Sequence, residues 1–366
     1  MTENIKIGTH DGCFHCDEAL ACFMLKTLPQ YKDAIIVRSR DKGILDTCDI
    51  VVDVGGEYNP SKHRYDHHMR DFKESVSTVI KKPGYDWDIK LSSAGLIYCH
   101  FGREIIKHLF PQLSDNVVEI IFKRIYDKLI KEIDGIDNGI PMYKEEPLYR
   151  IVTDLSSRVD FLNVKWNDKD TNVDARFVKA MELTGQDFLQ HINYAVNVWL
   201  PAKAIVQEAI AKRFEVDPSG EIIVLSQSVP WAEHIFEIEK EMNVQPPLKY
   251  LIFKDNNYKI RCVPVKPGSF VTRLFLPEAW AGLRGEELER ACGIPGAEFV
   301  HTVRFIAFID YSKLVPLNYQ GVSSKMSSLR FRNLWCINDP TIGAYGCARR
   351  NCRWINTEQG WHMYVT

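Results

Sequence analysis

Short β-branched runs alternate with stretches of helical periodicity through roughly the first 135 residues. Ile5–Gly8 reads as a strand, and Asp17–Leu28 (DEALACFMLKTL) carries apolar side chains at helical spacing. Ala34–Val37 (AIIV) and Asp49–Val54 (DIVVDV) are short and β-branched, which predicts buried parallel strands. Ser92–Leu109, opened by a serine start signal, and Asn116–Ile133 predict helices. This order predicts an α/β fold, a parallel sheet covered by helices. Arg176–Phe214 predicts a long helix broken near Pro201, and Asp217-Pro-Ser-Gly marks a turn. Beyond it, Glu221–Leu225, Lys249–Phe253, Lys259–Val263 and Glu298–His301 predict strands of a second, smaller α/β domain. The expected organisation is a first domain over 1–215, a second over 220–301 and a distinct tail over 302–366.

Composition narrows the function classes. The 366 residues hold 46 Lys/Arg against 48 Asp/Glu, with 45% hydrophobic and 26% charged side chains. Those proportions belong to a folded globular chain, and the charge balance argues against coating duplex nucleic acid by bulk charge. A membrane partner is not expected, since no apolar run approaches the ~18–20 residues of a membrane span. The N-terminus, MTENIKIGTHDG, enters a strand-like run at once, without the pattern of a secretory or mitochondrial leader. The expectation is a reducing compartment, nucleus or cytoplasm, in which the ten cysteines are free thiols. Cys13-x-x-Cys16 has redox or zinc spacing, but no second pair accompanies it.

Candidate chemistry gathers after predicted elements, where open α/β sheets place ligands. The first cluster is Gly8-Thr-His10-Asp11-Gly-Cys-Phe-His15-Cys-Asp17-Glu18. The second is Asp53, closing an apolar strand before Gly55-Gly56. The third is His63-Arg-Tyr-Asp66-His67-His68, and the fourth Glu132-Ile-Asp134-Gly-Ile-Asp137-Asn-Gly139. Each alone has a plain structural reading: a helix cap, a dipole-complementing carboxylate, a solvated histidine loop. Together they offer mixed imidazole and carboxylate donors suited to Mn²⁺, Mg²⁺, Fe or Zn²⁺. His10, His15, Asp17, Asp53, His67 and Asp134 or Asp137 would suffice for two metals that activate water and hold a phosphoryl group.

The third cluster, following a strand-terminal Asp53 and an N-terminal His/Asp cluster, resembles the DHH phosphoesterase superfamily. The strings IGTHDGCFHCDEALAC, IVVDVGGEYNPSKHRYDHH, KLSSAGLIYCHFG, IDGIDNG and VWLPA resemble one branch of it, the melanocyte-proliferating-gene (MYG) family, from about residue 5 to residue 301. The resemblance implies a metal-dependent 3′–5′ exonuclease acting on single-stranded RNA, with two divalent cations, Mn²⁺ or Mg²⁺, held by a DHH-like catalytic domain over 1–215 and a smaller substrate-gripping domain over 220–301. Its metal ligands would be His10, His15, Asp17, Asp53 (bridging), His67 and Asp134, with Asp137 as an alternative ligand or a supporting group. His68, Asp66 and Asp11 would be catalytic, His68 facing the phosphate and Asp66 orienting His67. Arg40 and Arg158 are candidate substrate contacts. Family members also include mitochondrial forms. Oligomeric state is left open.

The 302–366 segment changes character, with eight Lys/Arg against three Asp/Glu, three of the ten cysteines and three of the eight tryptophans. The family's glycine-rich loop after Phe-Val-His is replaced here by Thr302-Val-Arg-Phe-Ile-Ala-Phe-Ile-Asp310. A frameshift, retained intron or alternative exon would explain that departure. Two rival readings follow: a small-molecule phosphoesterase or pyrophosphatase on the same site, or a metal-stabilised interaction protein without turnover.

Overall fold

The computed structural model describes residues 5–310 and the strands Cys352–Thr357 and Gly360–Val365. The remainder of the 302–366 tail, with the sequence readings made of it, lies outside the described residues. The chain divides into two compact units, Met1–Lys203 and Ala204–Thr366.

In the first unit, β1 (Lys6–Thr9), α1 (Cys16–Thr27), β2 (Ile35–Arg38), α2 (Lys42–Leu45) and β3 (Ile50–Val52) follow one another. Then come β4 (Tyr58–Asn59), β5 (Arg64–Tyr65), α3 (Val76–Ile80), α4 (Ser93–Leu109), α5 (Asp115–Ile125), α6 (Lys131–Asp137), α7 (Leu155–Asp160) and α8 (Val173–Tyr194). The sheet order is β2-β1-β3-β5-β4, parallel except for the β4–β5 pair. Successive crossovers leave β1 in opposite directions, so the strand order reverses between β1 and β3. That reversal opens a crevice at their carboxyl ends, and His10 and Asp53 are the first residues beyond β1 and β3.

The apolar periodicity of α1 buries Leu20, Met24 and Leu25 completely, each worth ~1.5–3 kcal/mol of burial. This helix packs on α4 and α8. Gly185 in α8 permits the approach: a Cβ there would stand 2.2 Å from the Phe23 ring. One expectation needs correcting, because Ala34–Val37 is not a buried strand. β2 is the sheet edge, and Ile35 is 47% exposed.

The long helical stretches persist through π turns. Tyr126–Ile130 joins α5 to α6, and Ala195–Trp199 joins α8 to α9 (Leu200–Ala211). The expected break near Pro201 is this second π turn, which falls just before a residue that cannot donate a backbone hydrogen bond. The two units meet at Lys203/Ala204, inside α9.

The second unit adds α10 (Arg213–Val216), β6 (Ile222–Val224), α11 (Ala232–Glu241), β7 (Tyr250–Lys254), β8 (Tyr258–Cys262), α12 (Gly285–Cys292), β9 (Ala297–Val300) and β10 (Ile306–Ile309). Its sheet runs β6-β7-β8-β10-β9, with β6–β7 parallel and the other pairs antiparallel. β10 lies beyond residue 301, yet it sits between β8 and β9. Ile306, Ala307 and Ile309 of β10 are buried and Phe308 is half-exposed. Strands Cys352–Thr357 and Gly360–Val365 pair antiparallel with each other.

Candidate metal centre

Three strand ends and two helix ends converge on one buried polar cluster. β1 delivers His10, the N-terminus of α1 delivers Asp17 and Glu18, β3 delivers Asp53, the segment after β5 delivers His67 and His68, and the last turn of α6 delivers Asp137. His10, Asp17, Glu18, Asp53 and His67 are each no more than 3% exposed. Burying this much charge is costly unless the groups are paired or hold a metal. Asp53 sits at φ 60°, left-handed backbone that an Asp tolerates and that is a form of local strain common at functional sites.

Donor atoms form three sets with Asp53 shared by two: His10, His15, Glu18 and Asp53; Asp53, His67 and His68; and His15, Asp17 and Asp137. His10 Nε2 lies 3.0 Å from Glu18 Oε1 and 3.3 Å from Asp53 Oδ2. His67 Nε2 lies 3.1 Å from Asp53 Oδ1, 3.2 Å from Asp137 Oδ2 and 3.9 Å from Asp17 Oδ2. Yet His67 Nε2, Asp53 Oδ1 and Asp17 Oδ1 are buried without a hydrogen-bond partner among the described residues. Lone-pair atoms that crowd together without bonding one another are the donor arrangement a cation requires, and the residues present fit a divalent metal of the oxygen- and imidazole-binding kind.

The neighbours hold these donors in place. His10 Nδ1 donates to the Asp11 carbonyl at 2.9 Å, which leaves Nε2 to face the carboxylates. Asp17 Oδ2 accepts from the Ser93 hydroxyl at 2.6 Å and the Ser93 amide at 3.2 Å. Glu18 closes the first turn of α1 by accepting the His15 amide. Asp66 accepts from Gly56 N–H and from His68, whose Nδ1 is 2.8 Å away, so it orients His68 and not, as expected, His67.

Charge crowding sets the proton occupancy. Burial would lower His10, but the Asp53 and Glu18 carboxylates raise it to about 10. Burial likewise lowers His67, and Asp53, Asp17 and Asp137 raise it to about 9. Asp53 falls to about 2, because His10 and His67 outweigh its burial. Glu18 rises to about 8 by burial, with His10 opposing and Asp17 and Asp53 adding, and Asp137 rises to about 9 by burial and by Asp17. His68 rises chiefly through its hydrogen bond to Asp66.

The sequence-selected residues sort as follows. His10, His15, Asp17, Asp53, His67, His68 and Asp137 come together. Asp134 does not join the donor sets: its oxygens take the Ser92 amide (2.9 Å), the Ser92 hydroxyl (2.7 Å) and the Tyr126 hydroxyl (3.1 Å). Asp11 contributes its backbone carbonyl, while its exposed carboxylate pairs with Arg40 at 3.3 Å. Arg40 reaches His10 Nδ1 at 3.2 Å. Arg158 pairs with Asp187 at 2.8 Å and joins none of the three sets. Sequence reasoning gave Glu18 only a helix-dipole role, although it directly follows Asp17. It also gave no role to Asn163, which bonds both the amide and the carbonyl of Phe14.

The MYG1_exonuc family model, described as an uncharacterised protein family (UPF0160), matches residues 6–313. The chain belongs to this MYG1 family. It is 49% identical to the MYG1 exonuclease of Rattus norvegicus over 306 residues, 82% of this chain and 80% of the relative. Identity to the MYG1 exonuclease of Homo sapiens is 48% over 306 residues, 82% of this chain and 81% of the relative. Identity to the MYG1 protein of Dictyostelium discoideum is 42% over 309 residues, 83% of this chain and 92% of the relative. The MYG1 match runs past residue 301, where the sequence resemblance was drawn to end, and so includes β10. Among the described residues, no helix is long and apolar enough to cross a membrane, and the described cysteines, Cys13 through Cys292, are free thiols.

Proposed function

We propose that the chain is a metal-dependent phosphodiesterase of the DHH type, a 3′–5′ exonuclease on single-stranded RNA, working in the nucleus or cytoplasm. The observation that carries this reading is Asp53, whose two oxygens face two different donor sets. One divalent cation, Mn²⁺ or Mg²⁺, would be held by His10, Glu18 and Asp53. A second would be held by Asp53, Asp17, His67 and Asp137, with His15 at the border of the two. When bound, such a pair makes water nucleophilic near neutral pH and clamps the attacking and leaving oxygens of a phosphodiester.

The chain's own groups do the rest. His68 is 61% exposed beside the buried set, and Asp66 accepts the hydrogen bond from its Nδ1–H. That leaves Nε2 to meet a phosphate oxygen or to protonate the leaving group. Arg40, 62% exposed at the rim and braced by Asp11, supplies a cation for the approaching backbone. Asp134 acts as a supporting group that fixes the start of α4.

The test is digestion of 5′-labelled single-stranded RNA with Mn²⁺. The expected result is a ladder shortening from the 3′ end, abolished in His67→Ala with the circular dichroism spectrum retained. Pyrophosphate hydrolysis with RNA untouched would move the assignment to a small-molecule phosphoesterase. Bound metal without turnover of either substrate would make the site structural.

A further inference from the structure

His10 and His15 belong to one donor set, and their ring centroids are 5.6 Å apart. That spacing depends on the four residues between them, Asp11 to Phe14. Two of the four are fastened at once. The Asp11 carbonyl accepts from His10 Nδ1 at 2.9 Å, and Asn163 bonds both the amide and the carbonyl of Phe14. Gly12 is the loose point. It sits at φ 79°, in the left-handed region that glycine adopts without steric penalty, and a Cβ there would meet nothing within 4 Å. Cys13, next to it, is exposed. Neither packing nor a stiff backbone therefore sets the angle of the Gly12–Cys13 peptide.

One side chain does. Arg38 closes β2, where the parallel register places it beside Thr9, the residue before His10. Its Nη2 donates to the Gly12 carbonyl at 2.8 Å, and among the described residues Gly12 and Cys13 make no other hydrogen bond. The guanidinium is braced against α8. Nη1 donates to Asp174 at 3.1 Å, and the guanidinium carbon lies 4.6 Å from the Phe177 centroid and 5.7 Å from that of Phe14. The side chain is 5% exposed, so it is not presented to a substrate. Packing alone does not account for a guanidinium here. Its Nε is buried without a hydrogen-bond partner among the described residues, a cost that an apolar side chain against Phe14 and Phe177 would avoid. What the apolar side chain would lack is the bond to Gly12. A lysine has no planar fork to hold a carbonyl and a carboxylate at once while lying on a ring.

We propose that Arg38 is a positioning residue for the metal centre: by holding the Gly12 carbonyl it fixes the turn that sets His15 against His10, and with it the affinity for a cation those two imidazoles share. Arg38 touches none of the donor atoms and acts through the loop. The Asp11 carbonyl, one peptide earlier, orients His10, so a swing of the Gly12–Cys13 peptide would disturb one imidazole from each side. This role rests on the metal reading of the site and not on RNA as the substrate.

The experiment is titration calorimetry of the full, cation-free chain with Mn²⁺, comparing wild type with Arg38→Met and Asp174→Asn. Met keeps an apolar side chain against the two rings and removes the bond to Gly12. Mn²⁺ affinity should then fall about ten- to hundredfold, the usual effect of losing a group that orients metal ligands, with the urea midpoint retained. Asp174 is 82% exposed, so Asp174→Asn should leave the affinity within about threefold. In Arg38→Ala, free guanidinium far below denaturing concentrations should restore Mn²⁺ binding, which a merely structural loss would not show. In RNA digestion by Arg38→Met, the Mn²⁺ concentration for half-maximal cutting should rise by the same factor, with KM for RNA unchanged. Arg38→Met binding Mn²⁺ like wild type would overturn the proposal, and so would a raised KM at unmoved Mn²⁺ affinity, which would put Arg38 on the substrate. If Arg38→Met does not fold, the guanidinium rescue of Arg38→Ala decides, and no rescue overturns the proposal. A wild-type chain that binds Mn²⁺ but cuts neither RNA nor pyrophosphate removes the phosphodiesterase reading and leaves this role to the titrations. A wild-type chain that binds no divalent cation removes both.

Discussion

Asp134 and Asp137 lie one helical turn apart on α6, and their partners separate their roles. The Asp137 carboxylate faces His67 at 3.2 Å and belongs to a donor set. Asp134 is fully buried, and its oxygens are saturated by Ser92 and Tyr126. Burial pushes it up to about 7, against the hydrogen bonds from Ser92 and Tyr126. An amide can accept the same Ser92 bonds, so Asp134→Asn should change stability by no more than about 1 kcal/mol and leave Mn²⁺ affinity within about threefold. Asp137→Asn removes a charged donor and should weaken Mn²⁺ at least about tenfold. Titration calorimetry of both variants decides the assignment, and equal losses would put both carboxylates on the metal. Sequence spacing alone could not choose between these two residues. What distinguishes them is the start of α4, 42 residues upstream of Asp134 at Ser92, approaching one carboxylate and not the other.

At the scale of elements, the site depends on how closely the α4 N-terminus can approach α6. Its Ser92 and Ser93 amides and hydroxyls hold Asp134 and Asp17, which lie on different elements. Gly95 permits this: a Cβ there would stand 2.3 Å from Asp134 Oδ1. Gly95→Ala, favourable by helix propensity, should instead cost about 1–3 kcal/mol by overpacking and weaken metal binding, as read by urea melts with and without Mn²⁺. The loop from His10 to Asp17 is fastened in a comparable way. Asn163 accepts the Phe14 amide at 2.9 Å and donates to its carbonyl at 2.8 Å, both buried. Asn163→Ala leaves two buried backbone groups unpaired and should cost about 2–4 kcal/mol, lowering the chemical-denaturation midpoint. The elements themselves were legible: β1, α1, β3 and α4 fall within a residue or two of their hydrophobic patterns. Partners from distant segments were not legible. Asn163 lies 149 residues from Phe14 and has no local motif. Glu18 reads as an ordinary first-turn carboxylate until the fold sets His10 against it. β10 was obscured because its glycine-poor sequence departs from the family's loop, although its apolar residues suit a strand.

For the whole molecule, the cluster couples proton and cation occupancy. Without a cation, His10 is raised to about 10 and His67 to about 9, so both are protonated at neutral pH. A histidine raised in the folded state contributes stability that is fully present below its unfolded value near 6.5. That contribution is lost as pH rises through 9 to 10. Glu18 at about 8 and Asp137 at about 9 act in the same sense, since their neutral forms are favoured in the fold. Asp53, lowered to about 2, adds stability above the ordinary carboxylate range that is lost only in strong acid. The cation-free protein should therefore lose stability from pH 7 toward 10, as an array of carboxylates is left facing neutral imidazoles. A divalent cation must displace those same protons, so its apparent affinity should rise about tenfold per pH unit for each proton released. The rise in melting temperature on adding Mn²⁺ should be larger at pH 8 than at pH 6. At a hundredfold excess over the dissociation constant, the gain is about 2.7 kcal/mol. Calorimetry in two buffers of different ionisation enthalpy counts the protons directly. Release of one or more per cation at pH 7 supports a metal bound through His10 and His67, and no release would place the metal elsewhere.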